Sequence, residues 1–190
     1  FKTTVLSTEK NGHIHFTFKG QKEALRNYFE ALKPQLLKAT APLTKNMEKR
    51  GGGILDLKLI DYTSKMPHYY QLEVTFETAD AMGANFINSC LEQIAVTFEA
   101  LSKEASNLKG FLPEVVMSIL SNYVPNCVVR AEVCCAVDDL SLEGHFTGSK
   151  FAEKFIQAVR IAEVEPFRAV THNKGIMNGV DAIVIATGND

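Results

Sequence analysis

Apolar and polar positions alternate with a period of two at the start of the chain and then switch to a period of three to four. Residues 3–6 (Thr-Thr-Val-Leu) and 13–18 (His-Ile-His-Phe-Thr-Phe) are β-branched and aromatic, and Asn11-Gly12 between them is a turn pair. The pattern predicts a hairpin whose inward face carries Ile14, Phe16 and Phe18. From about Gln21, Leu25, Phe29 and Leu32 recur at helical spacing; Pro34 is expected to break or kink that helix, Thr40 with Pro42 to restart it, and Gly51-Gly52-Gly53 to stop it. Leu55, Leu57 and Leu59, then Tyr70, Leu72, Val74 and Phe76, alternate with polar residues and predict two half-buried strands, each with one wet face.

Beyond Asp80, Ile87, Leu91, Ile94, Phe98 and Leu101 step by three or four, the stripe of a long amphipathic helix ending near Lys109-Gly110. A third helix fits Pro113–Tyr123, an alternating strand Val129–Val137, and a further helix Ser149–Glu163 with Phe151, Phe155, Ala158, Val159 and Ala162 on one face. The fold class is therefore α+β. The pattern restarts near Leu108–Phe111, which places a domain boundary there and divides the chain into 1–110 and 111–190.

With 190 residues, 46% apolar and 22% charged, the chain can bury a full core, which excludes disorder and fibrous classes. A formal charge of −2 gives no broad positive field, so no nucleic-acid partner is expected. The longest apolar run near the end, Ala182–Ala186, is far too short to span a bilayer, and the start lacks a signal-peptide pattern. No membrane partner is expected. Cys90, Cys127, Cys134 and Cys135 lack metal-type spacing and sit in apolar segments, which points to a reducing cytoplasmic compartment. The missing initial Met and the ending on Thr187-Gly-Asn-Asp190 read as a fragment.

Two segments can carry chemistry. Arg168-Ala-Val-Thr-His-Asn-Lys-Gly-Ile-Met-Asn-Gly-Val-Asp181 is crowded with polar groups, and its Gly175 and Gly179 admit close approach. If it is helical, Lys174 and Asn178 share a face; the plainer alternative is a glycine-punctuated loop with a solvated lysine. Asp80-Ala-Met-Gly-Ala-Asn85 lies between a strand and a helix, where Asp80 can cap the helix and exposed amides suit a phosphate; the alternative is an ordinary N-cap with small-residue packing. His13 and His15 share one strand face, but two ligands are too few for a metal and an exposed face is the simpler reading. Cys134 and Cys135 point to opposite faces of the predicted strand, so neither a bridge nor a shared metal is natural. Gly51–Gly53 can pass under a phosphate or simply end a helix.

Taken together, Asp80-Ala-Met-Gly-Ala-Asn85, His172-Asn-Lys-Gly-Ile-Met-Asn-Gly179 and Ala186-Thr-Gly-Asn-Asp190 resemble the hydroxymethylglutaryl-CoA reductases, specifically the bacterial second class. Arg50-Gly-Gly-Gly53, Ile119-Leu-Ser-Asn122 and Pro166-Phe-Arg-Ala169 fall in the family's order, so the resemblance covers nearly the whole chain. It favours the functional alternative at both segments.

The resemblance implies a ferredoxin-like antiparallel sheet with helices for the NAD(P)-binding part, 1–110, and a mixed helix and strand segment of the large catalytic domain for 111–190. It implies four-electron reduction of hydroxymethylglutaryl-CoA to mevalonate and CoA, through a hemithioacetal and an aldehyde, with a nicotinamide cofactor and no metal. Lys174 is implied to stabilise the oxygen that becomes anionic, beside Asp190, with Asn178 orienting the network. Arg168 and Asn122 are implied to bind substrate, and Asp80, Met82, Gly83 and Asn85 the dinucleotide. The helix end Thr44-Lys-Asn-Met-Glu-Lys-Arg50, with three cations against one carboxylate, tilts the cofactor towards NADPH over NADH. A homodimer or higher homo-oligomer is implied. The family's glutamate and histidine from flanking segments have no counterpart here, so the fragment alone is expected to be inactive; a free-standing nucleotide-binding module is the alternative.

Overall fold

β1 spans Lys2–Thr17 as one unbroken strand, in place of the expected hairpin. Asn11 and Gly12 lie inside it, paired with Thr75 and Val74 of β3 (Tyr69–Glu77). The glycine is there for packing: a Cβ on Gly12 would stand 2.6 Å from Leu91 Cδ1 of α2 (Ala84–Lys103). Pattern reading mistakes such a close-approach glycine for a turn because both uses select the same residue. The computed structural model describes all of residues 1–190 except Lys109, Gly144, Asn189 and Asp190.

Helix α1 runs from Lys22 to Glu48 straight through Pro34 and Pro42, against the expected break. Both prolines are exposed, while Leu25, Phe29, Leu32, Leu36, Thr40, Thr44 and Met47 keep a buried stripe on the other side. The carbonyls that the prolines leave without partners therefore face water, and the burial of the stripe outweighs the local cost. The helix ends before Gly51, whose φ of 86° is left-handed, as expected of the triple glycine.

β2 (Gly53–Asp61) pairs with β3, but an irregularity between Ile54 and Asp56 turns Leu55 outward, leaving it 54% exposed while Leu57 is fully buried. The expected uniform alternation of Leu55, Leu57 and Leu59 fails at that bulge. α2 stops at Lys103, short of the expected end, and a 3₁₀ turn, Ser106–Leu108, follows.

Glu114–Leu120 is strand β4, not a helix. Its Val115, Val116 and Ile119 are β-branched, and β1 offers a free edge for pairing from Gly12↔Leu120 to Thr17↔Glu114. Two side chains of α2 fix its ends: Glu99 Oε1 accepts from Val115 N at 3.1 Å and Asn88 Oδ1 from Leu120 N at 3.0 Å. β5 (Cys127–Glu132) pairs with β1 and is shorter than expected, so Cys134 and Cys135 lie beyond it, both exposed.

The strand order β2-β3-β1-β4, with β1 antiparallel to both β3 and β4, and the succession β1-α1-β2-β3-α2-β4 make the ferredoxin-like arrangement. α1 and α2 cover one sheet face, closing a core of Ile14, Phe16, Leu72, Val74, Phe76, Leu91 and Phe98; Phe16 and Phe98 meet edge to face at 5.1 Å. Each such fully buried side chain contributes about 1.5–3 kcal/mol. On the other face, Gln71 Nε2 donates to His15 Nδ1 at 3.0 Å and the Tyr69 hydroxyl lies 2.7 Å from the same nitrogen. Partial burial, and secondarily the neighbouring His13, push the His15 pKa down. Among the described residues no group of three or more His, Cys, Asp or Glu is placed to hold a metal.

The chain divides into two compact units, Thr3–Ala131, which holds this sheet, and Glu132–Asp190 together with Phe1 and Lys2. In the second, α3 (Gly148–Val164) is capped by Thr147, whose Oγ1 accepts from Lys150 N at 3.4 Å, and α4 (Pro166–Ala186) follows after Glu165. No described helix is long and apolar enough to cross a membrane.

Candidate functional site

The turn between β3 and α2 is built around Thr78, whose side chain is fully buried. Its Oγ1 donates to the Ala81 carbonyl at 2.7 Å, and Ala81 N returns to the Thr78 carbonyl at 3.0 Å. Ala79 adopts φ 52°, a strained choice for a residue with a Cβ, held by its N–H on Glu77 Oε1 at 2.8 Å. Gly83, with φ 84°, is the N-cap of α2, and a Cβ there would meet Thr78 Cγ2 at 2.5 Å. Only glycine satisfies both constraints.

Asp80 therefore does not cap α2, as the sequence pattern allows; its exposed carboxylate pairs with the Arg50 guanidinium. That cation holds the Asp80 carboxyl below its ordinary range. Arg50 is delivered by the triple-glycine turn, where Gly52 N bonds the Met47 carbonyl at 3.0 Å and a Cβ on Gly52 would meet the Glu77 carbonyl. Met82 is 74% exposed, and Asn85 is exposed in the first turn of α2.

Asn122 follows β4 in a turn set by Ser121, whose N–H bonds the Asn11 carbonyl at 2.8 Å and whose hydroxyl donates to the Tyr123 carbonyl at 2.9 Å. The structure brings Asn122 and Met82 to one cavity of about 160 Å³, lined also by Lys10, Ala84, Ile87 and Leu120. The sequence pattern hides Lys10, because Asn11-Gly12 beside it reads as a turn. In the continuous strand Lys10 stands opposite Phe76, and its Nζ donates to Thr78 Oγ1 at 2.6 Å and to the Ala81 carbonyl at 3.4 Å.

In the second unit the segment around Lys174 is helical throughout, which settles the choice between helix and loop. The Glu165 carboxylate starts α4 by accepting from Phe167 N at 3.0 Å and Arg168 N at 2.7 Å, and Pro166 fits the first helical position. Lys174 Nζ donates to Asn178 Oδ1 at 3.5 Å, one turn on, and nothing stands within 4 Å of where a Cβ on Gly175 or Gly179 would lie. Arg168, Lys174 and Asn178 are all exposed. Asp190 lies outside the described residues.

The family model described as hydroxymethylglutaryl-coenzyme A reductase matches residues 1–190. The chain is 34% identical over 140 residues to 3-hydroxy-3-methylglutaryl-coenzyme A reductase of Archaeoglobus fulgidus, covering 74% of this chain and 29% of that protein. It is 36% identical over 149 residues to the probable 3-hydroxy-3-methylglutaryl-coenzyme A reductase of Borreliella burgdorferi, covering 78% and 32%. The solved 3-hydroxy-3-methylglutaryl-coenzyme A reductase of Streptococcus pneumoniae superposes with a TM-score of 0.75 at 32% identity, over 99% of this chain and 48% of that one. A structure of the class II enzyme from the same organism, bound to NADPH in open conformations, matches with a TM-score of 0.74 at 32% identity, again over 99% and 48%. The chain thus spans about a third of the length of the first two relatives and about half of the solved chains.

Proposed function

The chain belongs to the hydroxymethylglutaryl-coenzyme A reductase family, and from that premise we propose that the intact protein reduces hydroxymethylglutaryl-CoA to mevalonate and CoA with a nicotinamide cofactor. The observation that carries the reading is the Lys174–Asn178 pair on α4. Asn178 offers the ammonium a neutral acceptor, which orients it without cancelling its charge, and the remaining N–H groups can meet an oxygen on which negative charge gathers. Arg168 takes the substrate's free carboxylate with its planar fork, Asn122 adds a neutral amide to substrate binding, and Asp190 works beside Lys174.

The unit Thr3–Ala131 binds the dinucleotide through Asp80, Met82, Gly83 and Asn85, and the residues beyond it form part of the substrate and catalytic domain. The residues at the β3–α2 turn fit such a cofactor: a left-handed Gly83 leaves the first-turn amides of α2 open, beside the cavity that Met82 lines. When bound, the reduced nicotinamide supplies hydride. Arg50, already drawn to Asp80, is the cation that favours NADPH over NADH. The protein works as a homodimer or higher homo-oligomer.

The test is cofactor oxidation with hydroxymethylglutaryl-CoA, with mevalonate measured directly. Turnover by the intact protein, and none by residues 1–190 alone, is expected. An intact protein that binds the substrate without forming mevalonate would contradict the reading.

A further inference from the structure

Lys10 makes no direct ion pair among the described residues, although Glu77 lies close enough to feel its charge. The two hydrogen-bond partners of Lys10, the Thr78 hydroxyl and the Ala81 carbonyl, are both neutral oxygens. An ammonium has three N–H donors, so one remains, and the side chain lines the 160 Å³ cavity shared by Met82, Ala84, Ser121 and Asn122. A half-buried positive charge beside low-dielectric walls gains by meeting an anion there. The neighbouring carboxylates spend their hydrogen bonds on other groups: Glu77, which interacts with Lys10 through space only, accepts from Thr8 and from Ala79 N, Glu9 accepts from Asn126, and Asp80 pairs with Arg50. The two bonds to the turn also fix the side chain in advance, so little rotamer freedom remains to be lost when a ligand arrives.

We propose that Lys10 is a phosphoryl-binding residue of the cofactor turn, taking the pyrophosphate that NADH and NADPH have in common. The inference rests on the nicotinamide-cofactor reading above. It separates two cations by role: Lys10 acts on both dinucleotides alike, while Arg50 acts on the choice between them.

The experiment titrates NADPH and NADH separately into the intact protein, wild type, Lys10→Gln and Lys10→Arg, at low and high salt. A glutamine amide can still bond Thr78 and Ala81, so Lys10→Gln removes the charge while keeping the turn. The expected result is an affinity loss of about ten-fold or more for both dinucleotides, since a charge-assisted hydrogen bond is at stake. The salt dependence should be shallower in Lys10→Gln than in wild type, and Lys10→Arg should recover most of the affinity. Lys10→Gln binding both dinucleotides as tightly as wild type would overturn the inference, and so would a weakening with an unchanged salt dependence, the mark of a purely structural strut. A wild type that binds neither dinucleotide would overturn the cofactor reading, and this inference with it.

Discussion

Gly83 carries two constraints at one position, a left-handed φ of 84° and a wall formed by Thr78 Cγ2 at 2.5 Å from where a Cβ would stand. Because Thr78 also fixes Ala81 and receives Lys10, any shift that relieves the clash moves the whole β3–α2 turn. Gly83→Ala should therefore lower unfolding free energy by about 1–3 kcal/mol, read as a lower urea midpoint, and weaken dinucleotide binding in the same protein. An unchanged midpoint with unchanged binding would show that the turn tolerates a side chain. Gly175 and Gly179 pose a different case, since neither has a neighbour within 4 Å of its missing Cβ and neither has a left-handed φ.

At the scale of the element, the tie between α1 and β2 is Asp56, whose carboxylate takes Lys33 Nζ at 3.0 Å, Lys58 Nζ at 3.1 Å and Leu57 N at 2.8 Å. The Lys33 bond is the largest influence, followed by Lys58, and together they hold the Asp56 pKa down at about 2. A carboxyl depressed by folding adds stability above its unfolded pKa, and that stability is lost as pH falls through the folded value. Asp56→Asn should lower the thermal midpoint at pH 7 by an amount worth about 1 kcal/mol at most, because the site is partly exposed. The gap to wild type should close between about pH 4 and pH 2; a gap that is constant over that range would remove the charge from the explanation. An α+β layer was legible in the pattern and its ferredoxin-like form in the family resemblance, though the count of four strands rested on a compensation. Residues 3–18 read as two strands where there is one, and Glu114–Leu120 as a helix where the fourth strand lies. Val116, Ile119 and Leu120 carry helical spacing by coincidence, and the free edge of β1 that decides their state is a partner distant in sequence. Likewise Pro34 is a local breaker that a continuous buried stripe overrides. The helical state of α4 was legible only conditionally, because its polar residues and glycines fit a loop equally well until Glu165 is seen to start the helix.

In the whole molecule, every residue of the buried hydrophobic core among those described lies between Ile14 and Leu108. α4 has no buried residue, and Phe167, Ile176, Met177 and Ile183 on it are all more than half exposed. These apolar side chains lie on more than one side of the helix, the pattern of a helix that packs within a larger body, and the solved relatives contain about twice this length of chain. The chemistry proposed for Lys174 needs a site shielded from water, and it is therefore proposed for the intact protein. The most direct measurement is the turnover of the intact Lys174→Ala protein with hydroxymethylglutaryl-CoA, beside its affinity for NADPH. Loss of a preorganised donor predicts a fall in kcat of at least about 10²-fold, with the cofactor affinity and thermal midpoint of the wild type retained. Near-normal turnover would remove Lys174 from the chemistry and leave the family membership without the mechanism proposed from it.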